Sequence, residues 1–209
     1  MSGPLVVGAA AAAGVITHAR AGRVRFREGA VFGLLGIAGS VAGSRASAAV
    51  PAGLLLAGFG VLMLAVAAAM IVRAHSVADR PHRGRHPLVV AAAAIAVGLI
   101  TGFFAIGGGF VIVPALVLVL GFDMPAAAGT SLMVIAIDSA AALAARAGLG
   151  GLAVNWVLTG VFGTASLAGA LAGGRVSGRA SPRRLSKAFT VLIVAVAGYT
   201  LARSLLHLG

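Results

Sequence analysis

The sequence predicts an all-α protein that crosses a membrane several times as a helical bundle. Hydrophobic residues make up 60% of the chain and charged residues only 10%, with a mean hydropathy of +1.10. An average soluble domain carries about 25% charged residues. The apolar residues also form long runs, and about 20 helical residues suffice to cross a bilayer core. Composition and run length together indicate an integral membrane protein rather than a soluble domain.

The positive charge lies between the apolar runs. Lys and Arg number 16 against 4 Asp and Glu, which gives a formal net charge of +12. In a soluble protein this charge would suggest nucleic-acid binding. Here the arginines occupy short loops, which is typical of cytoplasmic loops that face anionic lipid. We therefore expect the lipid bilayer, and no nucleic acid, as a partner. The absence of cysteine excludes disulfides, thiolate metal sites and cysteine nucleophiles.

The membrane segments follow from the apolar runs in order. The first, Pro4–Thr17, has no basic residues before it and precedes an arginine-rich loop, so a membrane segment is favoured over a signal peptide. A basic linker at residues 74–87 divides the remaining runs into two groups. The runs before the linker are Gly29–Val50 and Ala52–Val72, and those after it are Leu88–Leu120, Ala126–Ala145, Asn155–Gly174 and Ala188–Leu206.

One of these runs is too long for a single straight helix. Leu88–Leu120 exceeds the roughly 20 residues of one crossing, so it is predicted to break. Gly107-Gly108-Gly109 is the natural position, because glycine tolerates backbone angles that other residues avoid, and Pro114 suits the start of a second helix. Non-helical backbone at this depth is tolerated only where it is buried in protein or lines a wet cavity. The free N–H groups of the second helix would then be available to an anion.

The chain also contains an internal repeat. A constant offset of 130 positions superposes two stretches without a gap, which indicates a duplicated unit. The first copy, residues 1–73, holds three predicted segments and lacks an equivalent of Leu88–Thr130, whereas residues 88–209 form a complete second copy. Either the sequence begins within the first copy or the protein has lost that half-site. The matched pairs are Phe32 with Phe162, Gly33 with Gly163, Gly39 with Gly169, Gly43 with Gly173, Arg45 with Arg175, Phe59 with Phe189 and Arg73 with Arg203.

Loop charge predicts that the two copies are inverted relative to each other. The arginine-rich loop precedes the Phe-Gly helix in the first copy (Arg20–Arg27) and follows it in the second (Arg175–Lys187). If both loops face the cytoplasm, the copies have opposite orientations. A glycine hairpin plus the Ala126–Ala145 helix supplies the odd number of crossings that this requires. We therefore predict an inverted-repeat bundle with glycine-broken helices and about eight membrane segments.

The stretch Gly98–Ala142 resembles the signature of the TauE/SafE family of sulfite exporters. It reads GLITGFFAIGGGFVIVPALVLVLGFDMPAAAGTSLMVIAIDSAAA, with a glycine triplet, a Pro-Ala-Leu and a following Gly-Thr-Ser-Leu. The resemblance implies a multi-pass protein of the bacterial inner membrane that exports or takes up small sulfur-containing anions such as sulfite or sulfoacetate. Members usually carry a second glycine-rich signature in the N-terminal half, and this chain has none.

The predicted site is a glycine turn lined by hydroxyl groups. Three glycines beside a proline exceed what close helix packing requires, so an anion-binding turn is favoured over packing alone. Thr130 and Ser131 either donate to an oxyanion or return hydrogen bonds to their own helix. The predicted substrate-binding residues are Gly107, Gly108, Gly109, Phe110, Thr130 and Ser131.

Asp138 is the one acid within an apolar run. A charge there is costly unless it is paired or lies in a cavity, so Asp138 is a candidate carrier of a coupling proton. The alternatives are a structural pair with Arg146 or a position at the membrane edge. His75, His82 and His86 match no metal-site spacing, and a solvated basic linker is the simpler interpretation. No catalytic constellation, metal or cofactor is expected.

The sequence thus predicts a secondary transporter of small anions, most plausibly sulfur oxyanions or organosulfonates. The rival interpretation is a non-transporting membrane subunit or scaffold derived from such a transporter, because the first copy lacks the glycine signature. A homodimer would bring two copies of the remaining half-site together.

Overall fold

The computed structural model is helical throughout the part of the chain that it describes. That part comprises residues 3–75, 86–104, 109–148, 161, 163–166, 168–170, 172–173 and 181–208, and no strand occurs within it. Residues 161–173 are helical wherever they are described. The bounded helices are α1 (Gly3–Arg20), α2 (Phe26–Ser47), α3 (Ala52–His75), α4 (Pro87–Phe104), α5 (Gly109–Leu118), α6 (Met124–Gly148) and α7 (Pro182–Leu208).

Five of these helices are long and apolar enough to cross a bilayer. They contain the spans Phe26–Ser47, Ala52–Val72, Pro87–Phe104, Met124–Ala145 and Pro182–Arg203. Large apolar side chains on their outer faces are exposed, among them Val61, Leu54 and Tyr199. A soluble monomer rarely exposes so much apolar surface, whereas lipid covers it without cost. The all-helical, membrane-spanning fold class is confirmed. The inverted orientation of the repeats and the count of eight segments remain predictions.

The last helix begins earlier than hydropathy predicts. The apolar run starts at Ala188, but α7 starts at Pro182 and includes Arg183, Arg184 and Lys187 in its first turns. Proline suits the first helical position, and the hydroxyl of Ser181 accepts a hydrogen bond from the backbone N–H of Arg184 at 3.4 Å. Capping residues therefore extend the helix beyond its apolar core, which a hydropathy window does not detect.

The closest helix contact joins α2 to α4 through glycines on both. The backbone of α4 at Ile95 and Leu99 lies directly against Gly39, and that at Leu99 and Phe103 lies against Gly43. In return, Gly98 and Gly102 of α4 lie against the carbonyl groups of Gly36 and Ser40. Membrane helices approach this closely only where small residues leave room, since lipid gives them no hydrophobic drive to associate. This contact fixes the position of α4, which ends just before the glycine triplet.

Two further helix pairs join segments that correspond in the 130-residue repeat. α1 packs along α6, with Gly8 facing Ser139 and Gly14 facing Leu132. α3 packs along α7, where Gly60 faces Leu201. The offset of 130 relates α1 to α6 and α3 to α7, so each helix packs against its own repeat mate.

Candidate functional site

The break predicted at Gly107–Gly109 falls largely outside the described residues, between the helices α4 and α5. α4 ends at Phe104 and α5 begins at Gly109, the third glycine of the triplet. Gly107 and Gly108 lie outside the described residues, so their backbone conformation is not part of this account. α5 has only 10 residues, about 15 Å of helix, which is half of a bilayer core. α4 is thus of crossing length and the described α5 is about half that length, while the break between them stays a prediction.

α5 is enclosed by the other helices. Residues 111–116 are all buried, and Ile112, Pro114 and Leu116 are among the most deeply buried residues of the described chain. Pro114 has no N–H, so the carbonyl group of Phe110 has no partner one turn later in α5. The first turn of α5 thus contains a carbonyl group that lacks its usual helical partner, in apolar surroundings.

A small cavity lies close to the end of α4 and to the start of α5, within one helical turn of each. Its volume is about 10 Å³, which is close to the space that one water molecule needs. Thr101 lies three residues before the end of α4, and Ile112 lies three residues after the start of α5. Asp138 of α6 is the acidic residue in the wall. The lining residues are Phe32, Gly36, Ala94, Val97, Gly98, Thr101, Ile112, Val134 and Asp138.

The cavity contains two polar side chains in an otherwise apolar wall. The Oγ1 atom of Thr101 is fully buried and has no hydrogen-bond partner within the described chain. Asp138 is half-buried among apolar residues. An unpaired buried hydroxyl costs roughly 1–3 kcal/mol, so the site favours a guest that bonds to it. The predicted alternative partner, Arg146, has its side chain outside the described residues, and that pairing therefore stays untested.

Thr130 holds the arginine-rich loop between α1 and α2. Its Oγ1 atom accepts a hydrogen bond from the backbone N–H of Arg25 at 3.1 Å, and the residue is fully buried. Gly129 makes the approach possible, since a Cβ atom there would lie 2.6 Å from the carbonyl oxygen of Arg23. Gly129 and Thr130, the Gly-Thr pair of the signature, therefore bind the basic loop to the first turns of α6 through close packing and a hydrogen bond. Ser131, by contrast, donates to the carbonyl group of Ala128 in its own helix at 2.8 Å.

Replacing Thr130 with valine should destabilise the protein by about 1 kcal/mol, because the backbone N–H of Arg25 loses its hydrogen-bond acceptor at nearly constant side-chain volume. Thermal unfolding in detergent measures the loss. The matched control is Thr190→Val on α7, whose hydroxyl bonds to the carbonyl group of Ser186 in the same helix. That variant should stay within about 0.5 kcal/mol of the parent. Equal stability of Thr130→Val and the parent protein would show that the loop does not depend on this bond.

The fold brings together a different set of residues from the set that was predicted to form the site. Asp138 was predicted either to carry a coupling proton or to pair with Arg146 or another basic group, and it shares a cavity with Thr101 of α4 and Ile112 of α5. Thr130 and Ser131 make other hydrogen bonds. Thr101 is the residue that sequence reasoning missed. The sequence feature that could have indicated Thr101 is a hydroxyl group beside Gly102 in the last turn of α4. Only the fold shows that Thr101 lines the same cavity as Asp138.

Comparison with known proteins identifies the family. The model of the sulfite exporter TauE/SafE family matches residues 2–200. A "Probable membrane transporter protein" of Xylella fastidiosa strain 9a5c is 33% identical over 210 residues, which cover 96% of this chain and 78% of that protein. A protein of the same description from strain Temecula1 is 33% identical over 202 residues, covering 92% and 75%. No solved structure matches the chain.

The family match extends over nearly the whole chain and includes the break, the Gly-Thr pair and Asp138. Several apolar helices of crossing length accompany it. Both findings agree with a multi-pass protein of the inner membrane and with the prediction that it is not an enzyme. The chain therefore belongs to the sulfite exporter TauE/SafE family of membrane transporters.

Proposed function

We propose that this protein is a secondary transporter of small anions, specifically sulfur oxyanions or organosulfonates of the sulfite and sulfoacetate kind, moved by export or uptake. The observation that carries the proposal is the short buried helix α5, which begins at the last glycine of the triplet and has Ile112 in the wall of a cavity that a carboxyl group and a hydroxyl group also line. Broken helices of this kind form the substrate and ion sites of many transporters.

In this proposal, the anion binds at the break. The free N–H groups at the start of α5 and in the turn of Gly107 and Gly108 donate to its oxygens, and the partial positive charge of the helix N-terminus attracts it. The ring of Phe110 borders this site. Thr130 and Ser131 contribute only in a state in which they release their present partners, Arg25 N–H and the carbonyl group of Ala128.

Asp138 is proposed to carry the coupling proton. Its carboxyl group lines the cavity one turn from the break, so its charge and that of the anion would act on each other at short range. A carboxylate surrounded by apolar helices is costly and is relieved by taking up a proton. One water molecule in the cavity could connect it to the unpartnered hydroxyl of Thr101. Proton binding and anion binding would then favour each other.

The inverted repeat is part of the same proposal. The packing of α1 on α6 and of α3 on α7 supports it, because a twofold axis between two repeats brings corresponding helices into contact. Alternating access would arise from motion of one repeat against the other around the break.

Substituting valine for Gly108 should abolish anion transport while membrane insertion is retained, because a β-branched side chain obstructs the turn and restricts its backbone. Flux of sulfite and of sulfoacetate into proteoliposomes measures the effect. The matched control is Gly198→Val on α7, where a Cβ atom would meet no described atom within 4 Å. Full transport by Gly108→Val would remove the turn from the mechanism. Absence of flux from the folded, unaltered chain would favour the non-transporting subunit instead.

A further inference from the structure

The loop between α1 and α2 is fixed at both of its ends. At the end of α1, the backbone N–H of Arg23 donates to the carbonyl group of His18 at 3.0 Å, and that of Gly22 donates to the carbonyl group three residues earlier at 2.9 Å. Gly22 has a φ of +67°, so these two bonds form the glycine-dependent turn that commonly ends a helix. Before α2, the N–H of Arg25 donates to Thr130 of α6. The loop is therefore held in one conformation against α6.

The side chain of His18 is buried where this loop begins. Only 6% of the residue is exposed, and its Nδ1 atom is buried without a hydrogen-bond partner in the described chain. On α6, a Cβ atom at Gly129 would lie 3.1 Å from the Cβ atom of His18. His18 follows the apolar run that ends at Thr17, and the proposed transport mechanism does not use it. Few buried polar groups lack a partner, so His18 is a candidate for a function of its own.

The surroundings of His18 oppose a positive charge on the imidazole ring. Burial and the guanidinium group of Arg23 both lower the pKa of His18 from its usual value of 6.5. Among the described residues, no carboxylate forms an ion pair with His18 that would offset these effects. The other charged groups on the neighbouring helices and loop are Arg20, Arg25, Arg27, Glu28, Asp123 and Asp138.

We propose that His18 is a proton-sensitive switch that controls whether the α1–α2 loop stays bound to α6. The neutral imidazole is tolerated in the buried position, whereas a protonated ring without a partner must reach water. Because the Cβ atom of His18 packs close to Gly129, exposing the ring requires the end of α1 to move away from α6. The contacts of the loop with α6, including the hydrogen bond from Arg25 to Thr130, then break together.

The direction of the pH effect follows from proton linkage. When the loop is released, His18 lies in water and binds a proton with its usual pKa, whereas the bound loop disfavours that proton. The bound form is therefore fully stable above about pH 6.5. It loses stability as the pH falls from there towards the lower pKa of the bound form, by up to about tenfold in population per pH unit.

The loop is predicted to face the cytoplasm, so the switch responds to acidification of the cytoplasm. Release of the loop also frees the hydroxyl group of Thr130 from its present partner. A role for that hydroxyl in anion binding rests on the proposed function, but the switch itself does not. The experiment below measures no transport, so failure of the switch and failure of the transport proposal are distinguishable.

Cysteine labelling tests the switch, and the chain has no cysteine of its own to interfere. Val24→Cys places a reporter at a buried position of the loop, and Ala21→Cys places a reference at an exposed position of the same loop. The ratio of their maleimide labelling rates removes the common effect of pH on thiol reactivity. In purified protein in detergent, this ratio should rise several-fold, and at most about tenfold, between about pH 7.5 and 5.5.

Three variants with the same reporters assign the effect to His18. His18→Gln keeps a polar side chain that cannot gain a charge, so its ratio should not change with pH. Arg23→Gln keeps the backbone bonds of the loop but removes the neighbouring charge, so its rise should be smaller. His86→Gln is the matched control and should keep the full rise, because His86 is exposed and its Nδ1 atom accepts a hydrogen bond from the N–H of Leu88 at 3.4 Å.

A ratio that is independent of pH in the parent protein would overturn the proposal, as would equal rises in His18→Gln and His86→Gln. If His18→Gln does not fold, Arg23→Gln decides the question. A smaller rise in that variant supports the switch, and an unchanged rise overturns it.

Discussion

Replacing Gly102 with valine should strongly destabilise the folded protein. A Cβ atom at this position would overlap the carbonyl group of Ser40, and the two added methyl groups would extend the overlap. Because the obstacle is the backbone of α2 rather than a flexible side chain, the two helices must separate. Overpacking costs about 1–3 kcal/mol where side chains can adjust, and we expect a cost at or above the upper value here. For a chain of this size about 3 kcal/mol corresponds to a fall of roughly 10 °C in Tm.

The measurement is thermal unfolding of the purified protein in detergent, together with the amount recovered from the membrane. Gly198→Val is the control, since it makes the same substitution within the apolar helix α7 where the space is open. The control should unfold within about 2 °C of the parent protein. Similar Tm values for Gly102→Val and Gly198→Val would contradict the close packing of α2 on α4.

Replacing Asp138 with asparagine should uncouple transport from a pH gradient. Asparagine keeps the size and shape of the carboxyl group but cannot carry a proton, so the cavity beside the break loses its titratable group. In proteoliposomes, an imposed pH gradient should accelerate anion flux by the parent protein and leave flux by Asp138→Asn unchanged. Exchange of labelled for unlabelled anion at equal pH should persist in the variant, since exchange requires no net proton movement.

The companion variant is Thr101→Val, which removes the unpartnered hydroxyl without removing a titratable group. We expect this variant to keep its response to the gradient at a reduced rate, because Asp138 retains its proton but loses the neighbour that would help to hold it. A gradient response in Asp138→Asn equal to that of the parent protein would exclude this residue as the coupling group. Loss of exchange in the same variant would instead assign Asp138 to anion binding or to folding.

Much of the architecture follows from local properties of the chain. Long apolar runs specify membrane helices because the backbone must satisfy its own hydrogen bonds in lipid. The excess length of the run from Leu88, together with the glycine triplet, predicts a break, and α5 begins at Gly109, the last glycine of the triplet. The start of α7 at Pro182 was not predicted, because hydropathy does not detect a charged first turn. That turn depends instead on capping by Ser181.

The candidate site was only partly accessible from the sequence. Asp138 stood out because an acid inside an apolar run is rare and costly. Thr101 did not, since a threonine in a membrane helix ordinarily bonds to its own backbone. Thr130 was predicted to bind substrate because of its place in the signature. Its hydroxyl instead accepts a hydrogen bond from the N–H of Arg25, more than a hundred positions away in the chain. No local pattern encodes a partner at that separation.

The sequence by itself determined that this is a helical membrane protein of the TauE/SafE family, and it predicts a duplicated segment and a break near Gly107–Gly109. These properties rest on composition, periodicity and motif, each of which is read along the chain. Only the tertiary structure decided which polar groups meet. It placed Asp138 and Thr101 at one cavity and packed the glycines of α2 directly against those of α4. Contacts between distant segments depend on how helices pack, and packing is set by surfaces that form only after the helices have assembled.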